Sequence, residues 1–326
     1  MNSLQDATSF IVVTPVFNDW ESLQLMLLNL DEQIVDKDLQ IRILVVDDGS
    51  TIGPSGFQLE EIRHIASVEL LRLCRNMGHQ RAIAIALAYI EAHKSCRAVI
   101  VMDADGEDMP SDVFRLIKKH YEQEKDCVIF AQRTKRSESV LFKVCYHIYQ
   151  RFFKVLTGQE IRVGNFSLIP YELLKRIVVV SEIWNHYSSG ILKARLPHIY
   201  LSCQRGFRLA GQSRMNYVSL VVHGLSAISV YGDVIGARAL IASLGLATLS
   251  LVGIIVVILI KSMTTLSIPG WATYSVGIAL IILLQSITIS AGFAFLILSG
   301  RNTFSFLPQR DHHYFILEVQ QLCPTQ

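Results

Sequence analysis

The sequence predicts an α/β domain built on a mostly parallel sheet, followed by a pair of membrane-spanning helices. Three observations carry this reading. Between residues 10 and 131, short apolar runs alternate with amphipathic stretches. Those runs are apolar throughout rather than at every second residue, as strands covered on both faces require. Towards the C-terminus, two successive uncharged segments each exceed the ~20 residues that a helix needs to cross a bilayer.

Taken in order, "FIVVT" (10–14) is a strand and "ESLQLMLLNLDEQI" (21–34) a helix. "IRILVV" (41–46) is a strand that runs into "DDGS", and "VELLRL" (68–73) is a third. "QRAIAIALAYIEAH" (80–93) has helical periodicity, and "AVIVM" (98–102) is a fourth strand. "SDVFRLIKKHYEQE" (111–124) is a helix for which Ser111 is the expected N-cap, and "CVIFA" (127–131) is a fifth strand. The loops "PVFND", "DDGS", "CRNMGHQR" and "DADGED" then lie on one edge of the sheet, where open α/β sheets bind ligands.

The remainder is greasier. Of 326 residues, 51 % are hydrophobic and only 18 % charged, with a mean hydropathy of +0.37, too apolar for an ordinary soluble enzyme. Residues 239–260 and 262–300 contain no charged side chain. The short link "KSMTTLSIPGW", with its Pro269-Gly270 turn signal, makes them a hairpin. Arg238, Arg301 and Arg310 flank its outer ends, against Lys261 in the link, which places the N-terminal region in the cytoplasm. "MNSLQDATSF" has no basic start followed by an apolar stretch, so no cleaved signal is expected.

"SVLFKVCYHIYQRFFKVLTG" (139–158) has an apolar stripe at Leu141, Val144, Cys145, Ile148, Phe152 and Val155, with Lys143, Arg151 and Lys154 among its aromatics. A core helix and a helix in the membrane interface both fit this pattern. The same holds for "NYVSLVVHGLSAISVYGD" (216–233), and the nearby span favours the interface for both. The expected organisation is a catalytic domain over 1–215, an amphipathic helix over 216–235, a hairpin over 236–300 and a cytoplasmic tail over 301–326. Six scattered cysteines without a CxxC pair point to free thiols rather than a disulfide framework or zinc site. A net charge of +2 and the lack of a basic tract argue against nucleic acid as a partner.

The chemistry gathers in "VMDADGEDMP", where Asp103, Asp105, Glu107 and Asp108 crowd behind the fourth strand. Oxygen donors at alternate positions can converge on a hard cation such as Mg²⁺ or Mn²⁺, which relieves their repulsion and offers open coordination positions to a diphosphate. "VVDDGS" supplies acids for a base or ribose.

Together with "RNMGHQRAIAIAL", "AQRTKRSES", "RVGNFSLIPYELL", "RGFRLAGQSRMNY" and the hairpin, these motifs resemble an inverting family-2 glycosyltransferase of the GT-A fold. Within that group the chain is similar to the polyprenyl-phosphate glycosyltransferases related to dolichol-phosphate mannose synthase. The resemblance implies a Rossmann-like cytoplasmic domain with interfacial helices and two transmembrane helices. It implies a nucleotide-sugar donor (UDP or GDP), a polyprenyl phosphate acceptor and Mg²⁺ or Mn²⁺ as cofactor. Pro15 and Phe17 would wall the base pocket, Asp48 with Asp47 beside it would bind the base, and Arg81 would contact the nucleotide. Asp103, Asp105 and Glu107 would hold the metal, while Arg133 and Lys143 would receive the acceptor phosphate. Asp105 and Arg133 are thus the expected catalytic residues. The loop departs from the common "DADLQHPP" pattern at Gly106, Glu107 and Met109. The setting would be the cytoplasmic membrane, and a homo-oligomer is compatible with all of it. A processive polysaccharide synthase would carry a QxxRW helix, which "QRGFRL" does not supply. A non-catalytic nucleotide-sugar sensor would have little use for intact Asp103, Asp105 and Arg133.

Overall fold

Eight strands form one sheet in the order β7-β5-β6-β4-β1-β2-β3-β8. The computed structural model describes residues 9–35, 37–54, 60–133, 140–160, 163–211, 217–264, 270–302 and 306–323; the side chains of 140–146, 217, 301–302 and 323 lie outside that description. The chain runs β1 (Ser9–Val16), α1 (Trp20–Ile34), β2 (Gln40–Asp47), β3 (Ser67–Leu73), α2 (His79–His93), β4 (Ala98–Val101), α3 (Pro110–Tyr121) and β5 (Val128–Arg133). It continues with α4 (Val140–Thr157), β6 (Ser167–Pro170), α5 (Tyr171–Ile177), α6 (Tyr187–Lys193), β7 (His198–Cys203) and α7 (Tyr217–Ser229). Two long helices, α8 (Gly232–Met263) and α9 (Trp271–Asn302), precede α10 (Pro308–Asp311) and β8 (Ile316–Cys323).

Pairing is parallel between β1 and β2, β1 and β4, β2 and β3, and β5 and β7. Only β6 and β8 run the other way. The strand ends at 16, 47, 73, 101, 133 and 203 therefore share one edge. Side chains alternate across the sheet: Ile11 and Val13 of β1 join the core around α2, while Phe10, Val12 and Val16 join the core of α1 and α3. Helix α1 buries Leu23, Met26, Leu27, Leu30 and Ile34, an i, i+3, i+4, i+7, i+11 stripe. Each contributes roughly 1.5–3 kcal/mol of apolar burial. Buried Asp31 on the same helix accepts backbone N–H bonds from Arg63, His64 and Ile65, and so fixes the approach to β3.

Three strands escaped the sequence reading. β6 has four residues, β7 is half exposed, and β8 lies in the stretch taken for a tail. Ser111 is not the N-cap of α3. Met109 holds that position and Pro110 opens the first turn, where its fixed φ suits the helix and its missing N–H costs nothing. That helix ends at Tyr121 rather than at 124.

The chain divides into two units, one of 1–147, 161–230 and 305–326 and another of 148–160 and 231–304. In the second, α8 and α9 are 32 residues each, about 48 Å at helical rise, and are long and apolar enough to cross a bilayer. Gly236, Ser243, Ala247 and Ser250 form the buried stripe of α8, and Ser243 Oγ lies 2.7 Å from Ser290 Oγ. Small residues let the backbones approach, and the hydroxyl pair adds polar glue. Arg238 donates to the carbonyls of Val155 and Leu156, which satisfies the end of α4.

Candidate active site

The switch in strand order falls between β1 and β4: β2 and β3 follow β1 on one side, while β4 flanks it on the other. Such a crevice is where open sheets take ligands. Its floor on the β1–β2 side is stitched by polar contacts. Asn18, at φ 52, donates its backbone N–H to Ser50 Oγ, and its Oδ1 accepts from Ile52 N. Gly49 follows at φ +70, and a Cβ there would sit 2.5 Å from Asn76 N, so "DDGS" needs its glycine for close backbone approach.

Asp47 and Asp48 are both buried. Asp47 accepts the Ser50 N–H at 2.8 Å and lies 3.4 Å from Arg72, which in turn binds Glu318 of β8 at 2.7 Å. Asp48 accepts the N–H groups of Met77 and Gly78 at 2.6 and 2.9 Å. Burial raises its carboxyl above the ordinary range, against those two backbone bonds. Both acids thus shape the loops, and each oxygen keeps a lone pair for a further donor. Pro15 is buried in β1, and Phe17 stands 36 % exposed just beyond it. Arg81 turns elsewhere: its guanidinium lies over the Trp184 ring, 5.2 Å from the centroid, in a cluster with Phe306 and Phe315. Residues 79 and 81 are two helical steps apart and therefore point to opposite sides of α2. Arg81 is thus held against the aromatic cluster. His79 faces the edge instead, its Nε2 3.1 Å from Asp103 Oδ1.

The acidic loop is held by arginines. Arg133 reaches Glu107 at 3.2 Å and buried Asp108 at 2.9 Å. Arg205 binds Glu107, while Arg208 bridges Asp105 and Asp19. Asp108 Oδ2 accepts the Asp103 N–H at 3.1 Å. Burial and the nearby Asp103 push the Asp108 carboxyl up to about 7, with Arg133 opposing. Burial and Asp103 likewise raise Asp105. For Asp103 burial acts upwards too, but His79 and Arg133 outweigh it and hold that carboxyl below the ordinary value. Among the described residues no three acidic or histidine side chains form a ready-made metal cage. Asp103, Asp105 and Glu107 do share the loop, but the last two are spent on arginines. The Lys143 side chain lies outside the described residues.

Arg205 and Arg208 were missed because β7 was missed. The segment after it, 203–211, is a strap across the acidic loop. Gly206 N donates to Glu107 O at 2.8 Å and Leu209 N to Asp105 O at 2.9 Å. Gly106, at φ +85, is packed by Leu209, and a Cβ on Gly206 would stand 2.4 Å from Gly106 O. The glycine that departs from the common loop pattern is thus matched by the strap. Gly206→Ala is expected to lift the strap and loosen three ion pairs at once, cutting activity by about tenfold or more. The check is to compare the initial rate with the melting temperature. A strap acting only as surface cover would leave the rate unchanged.

A Rossmann-like sheet with an acidic loop at its carboxyl edge defines a glycosyltransferase domain of the GT-A type. Residues 11–181, more than half of the chain, match the family described as Glycosyl transferase family 2. The chain belongs to that family. It is 24 % identical to the uncharacterized glycosyltransferase YkcC of Bacillus subtilis, over 84 % of this chain and 86 % of that one. It is 26 % identical to an undecaprenyl-phosphate 4-deoxy-4-formamido-L-arabinose transferase of Klebsiella pneumoniae, over 51 % of this chain, and spans 49 % of that relative's length. Among solved structures, glucosyl-3-phosphoglycerate synthase of Mycobacterium tuberculosis, in complex with Mn²⁺, UDP-glucose and phosphoglyceric acid, aligns with a TM-score of 0.49 at 14 % identity. That alignment covers 72 % of this chain and 82 % of the other.

Proposed function

We propose that this glycosyltransferase moves a sugar, with inversion, from a UDP- or GDP-sugar to a polyprenyl phosphate at the membrane surface. The product, a polyprenyl-phosphate monosaccharide, would serve cell-envelope glycan modification. The observation that carries the acceptor is α7. Val218, Val221, Val222 and Leu225 form an exposed apolar stripe on it, whereas Ala227 and Val230 pack inward. A soluble monomer rarely leaves such a face bare, and a bilayer interface would cover it. In α4, Ile148, Phe152 and Val155 are exposed in the same manner. The Klebsiella relative, which by name acts on undecaprenyl phosphate, supports the same acceptor class.

The residues present fit a divalent cation. Asp103 Oδ1 is buried with His79 Nε2 3.1 Å away but no aligned hydrogen bond among the described residues, and Asp105 and Asp108 are carboxyls raised by burial and by the charge of Asp103. Asp103, Asp105 and Glu107 would hold Mg²⁺ or Mn²⁺, with Arg205 and Arg208 released towards the diphosphate. The bound ion would stabilise charge developing on the leaving nucleoside diphosphate. Pro15 and Phe17 would flank the base, with Asp47 and Asp48 beneath it. A lipid phosphate, with a second pKa of about 6, needs no base to become a nucleophile at neutral pH. The chain must instead offset the meeting of two anions, which Arg133 and Lys143 would do. Membranes incubated with a panel of radiolabelled sugar nucleotides should yield label in the lipid extract; label in a polymer or nowhere would refute the reading.

The catalytic unit would face the cytoplasm. In a cysteine-free background, Thr264→Cys should react with an impermeant thiol reagent in intact cells and Gln309→Cys should not. The reverse pattern would overturn the topology.

A further inference from the structure

Helix α7 carries one imidazole, and it lies opposite the apolar stripe. Residues 218, 221, 222 and 225 define one face, and 223 and 227 the other, about 170° away at 100° per residue, with Leu220 of that second side also exposed towards the start of the helix. His223 is half-buried there. Its ring packs 4.7 Å from that of His186, centroid to centroid. His186 is itself buried, and its Nδ1 accepts the Ser189 N–H at the start of α6. Burial, helped by His223, lowers its pKa to about 3, so this ring is a fixed, neutral support. The next residue, Tyr187, donates its N–H to Gln80 Oε1 at 2.6 Å, which ties α6 to the first turn of α2 beside His79. Burial lowers the His223 pKa, helped by the charge of His79 and opposed by that of Asp103, so this ring is a neutral N–H donor that feels the catalytic edge. Imidazoles therefore run from Asp103 towards α7, the helix whose opposite face carries the exposed apolar stripe.

A packing role alone does not account for this ring. Leu or Phe would fill the space against His186 without the cost of desolvating a polar group. Of the two cations assigned to the acceptor side, Arg133 is engaged by Glu107 and Asp108, so a phosphate reaching it must displace a carboxylate. The ring packed against His223 is that of neutral His186.

We infer that His223 is an acceptor-phosphate contact, a ring N–H donor that α7 brings to the catalytic edge for a phosphate monoester arriving on a lipid. This rests on the reading that the acceptor is a polyprenyl phosphate. His186 is the positioning residue behind it.

The test uses the full-length protein in nanodiscs, as wild type, His223→Ala and His223→Gln. Binding is measured for undecaprenyl phosphate, for undecaprenol, for glycerol 3-phosphate, and for UDP and GDP with Mn²⁺. His223→Ala should weaken undecaprenyl phosphate by about tenfold, the scale of one charge-assisted hydrogen bond. It should leave undecaprenol and both nucleotides unchanged, and raise KM for the lipid more than it lowers kcat. His223→Gln, which keeps an N–H donor, should recover most of the loss. Equal losses for the phosphate and the alcohol would reduce His223 to a packing residue, and unchanged affinity would remove the contact. Glycerol 3-phosphate lost through His223→Ala while the lipid phosphate is unaffected would overturn the lipid source. Wild type that fails to distinguish undecaprenyl phosphate from undecaprenol would refute the proposed acceptor itself, and this inference with it.

Discussion

Asp105→Asn should nearly abolish sugar transfer while the protein still folds and inserts. The amide oxygen can keep the hydrogen bond that Asp105 Oδ1 accepts from Glu107 N at 3.0 Å, so the loop retains its turn. Arg208 retains Asp19. What is lost is one anionic ligand in the loop proposed to hold the metal. Several kcal/mol of barrier lowering should go with it, on the order of a hundredfold to a thousandfold in rate. Turnover above about a tenth of wild type at saturating Mg²⁺ or Mn²⁺ would be incompatible with Asp105 as a ligand.

Arg133→Ala should damage donor and acceptor sides together. Read from the sequence, Arg133 belongs to the acceptor alone, and its removal would spare nucleotide binding. The structure joins it to the acidic loop. Asp108 is 3 % exposed, its carboxyl is already pushed up to about 7, and Arg133 is its cationic partner at 2.9 Å. Removing the guanidinium leaves a buried carboxyl beside Asp103 with its counter-charge gone, a situation that is costly until the group takes up a proton. The Asp103 N–H bond to Asp108 is then weakened, and Asp103 shifts with it. We expect turnover to fall on the order of a hundredfold, with measurably weaker binding of nucleotide plus Mn²⁺. Arg133→Ala combined with Asp108→Asn removes the stranded charge. That double variant should bind nucleotide nearly as wild type while its use of polyprenyl phosphate stays poor. The coupling between the two positions is read from the full cycle. Calorimetry showing normal nucleotide binding in Arg133→Ala alone would dissolve the link between the two sides.

The sheet was legible where strands are apolar over their whole length. β1 to β5 are buried on both faces, so a local run was enough to find them. β6 offers four residues, and half-exposed β7 presents no continuous run. β8 is recognisable only through its pairing with β3, far away in the sequence. The site divides in the same way. Asp103, Asp105, Glu107 and Arg133 stand in a motif directly behind a strand, and the structure brings them together. That Arg81 stands over Trp184 was not legible, because a motif does not state which face of a helix turn a side chain takes. Arg205, Arg208 and His223 carry no local signature. Arg205 and Arg208 become visible only once β7 leads the chain back to the acidic loop, and His223 only once α7 is seen packed on His186.

The pairing of β8 with β3 has a consequence for biogenesis. Arg72 and Glu318 meet across 246 residues of chain, and both long apolar helices are synthesised between them. The sheet therefore remains one strand short until both apolar helices have left the ribosome. Until then β3 is an open edge, the kind that recruits foreign strands. A hairpin inserted the wrong way, or only half inserted, would carry β8 out of reach and leave that edge bare. If the two helices cross a membrane as proposed, completion of the sheet would act as a check on their insertion, and chains that fail it would expose the β3 edge.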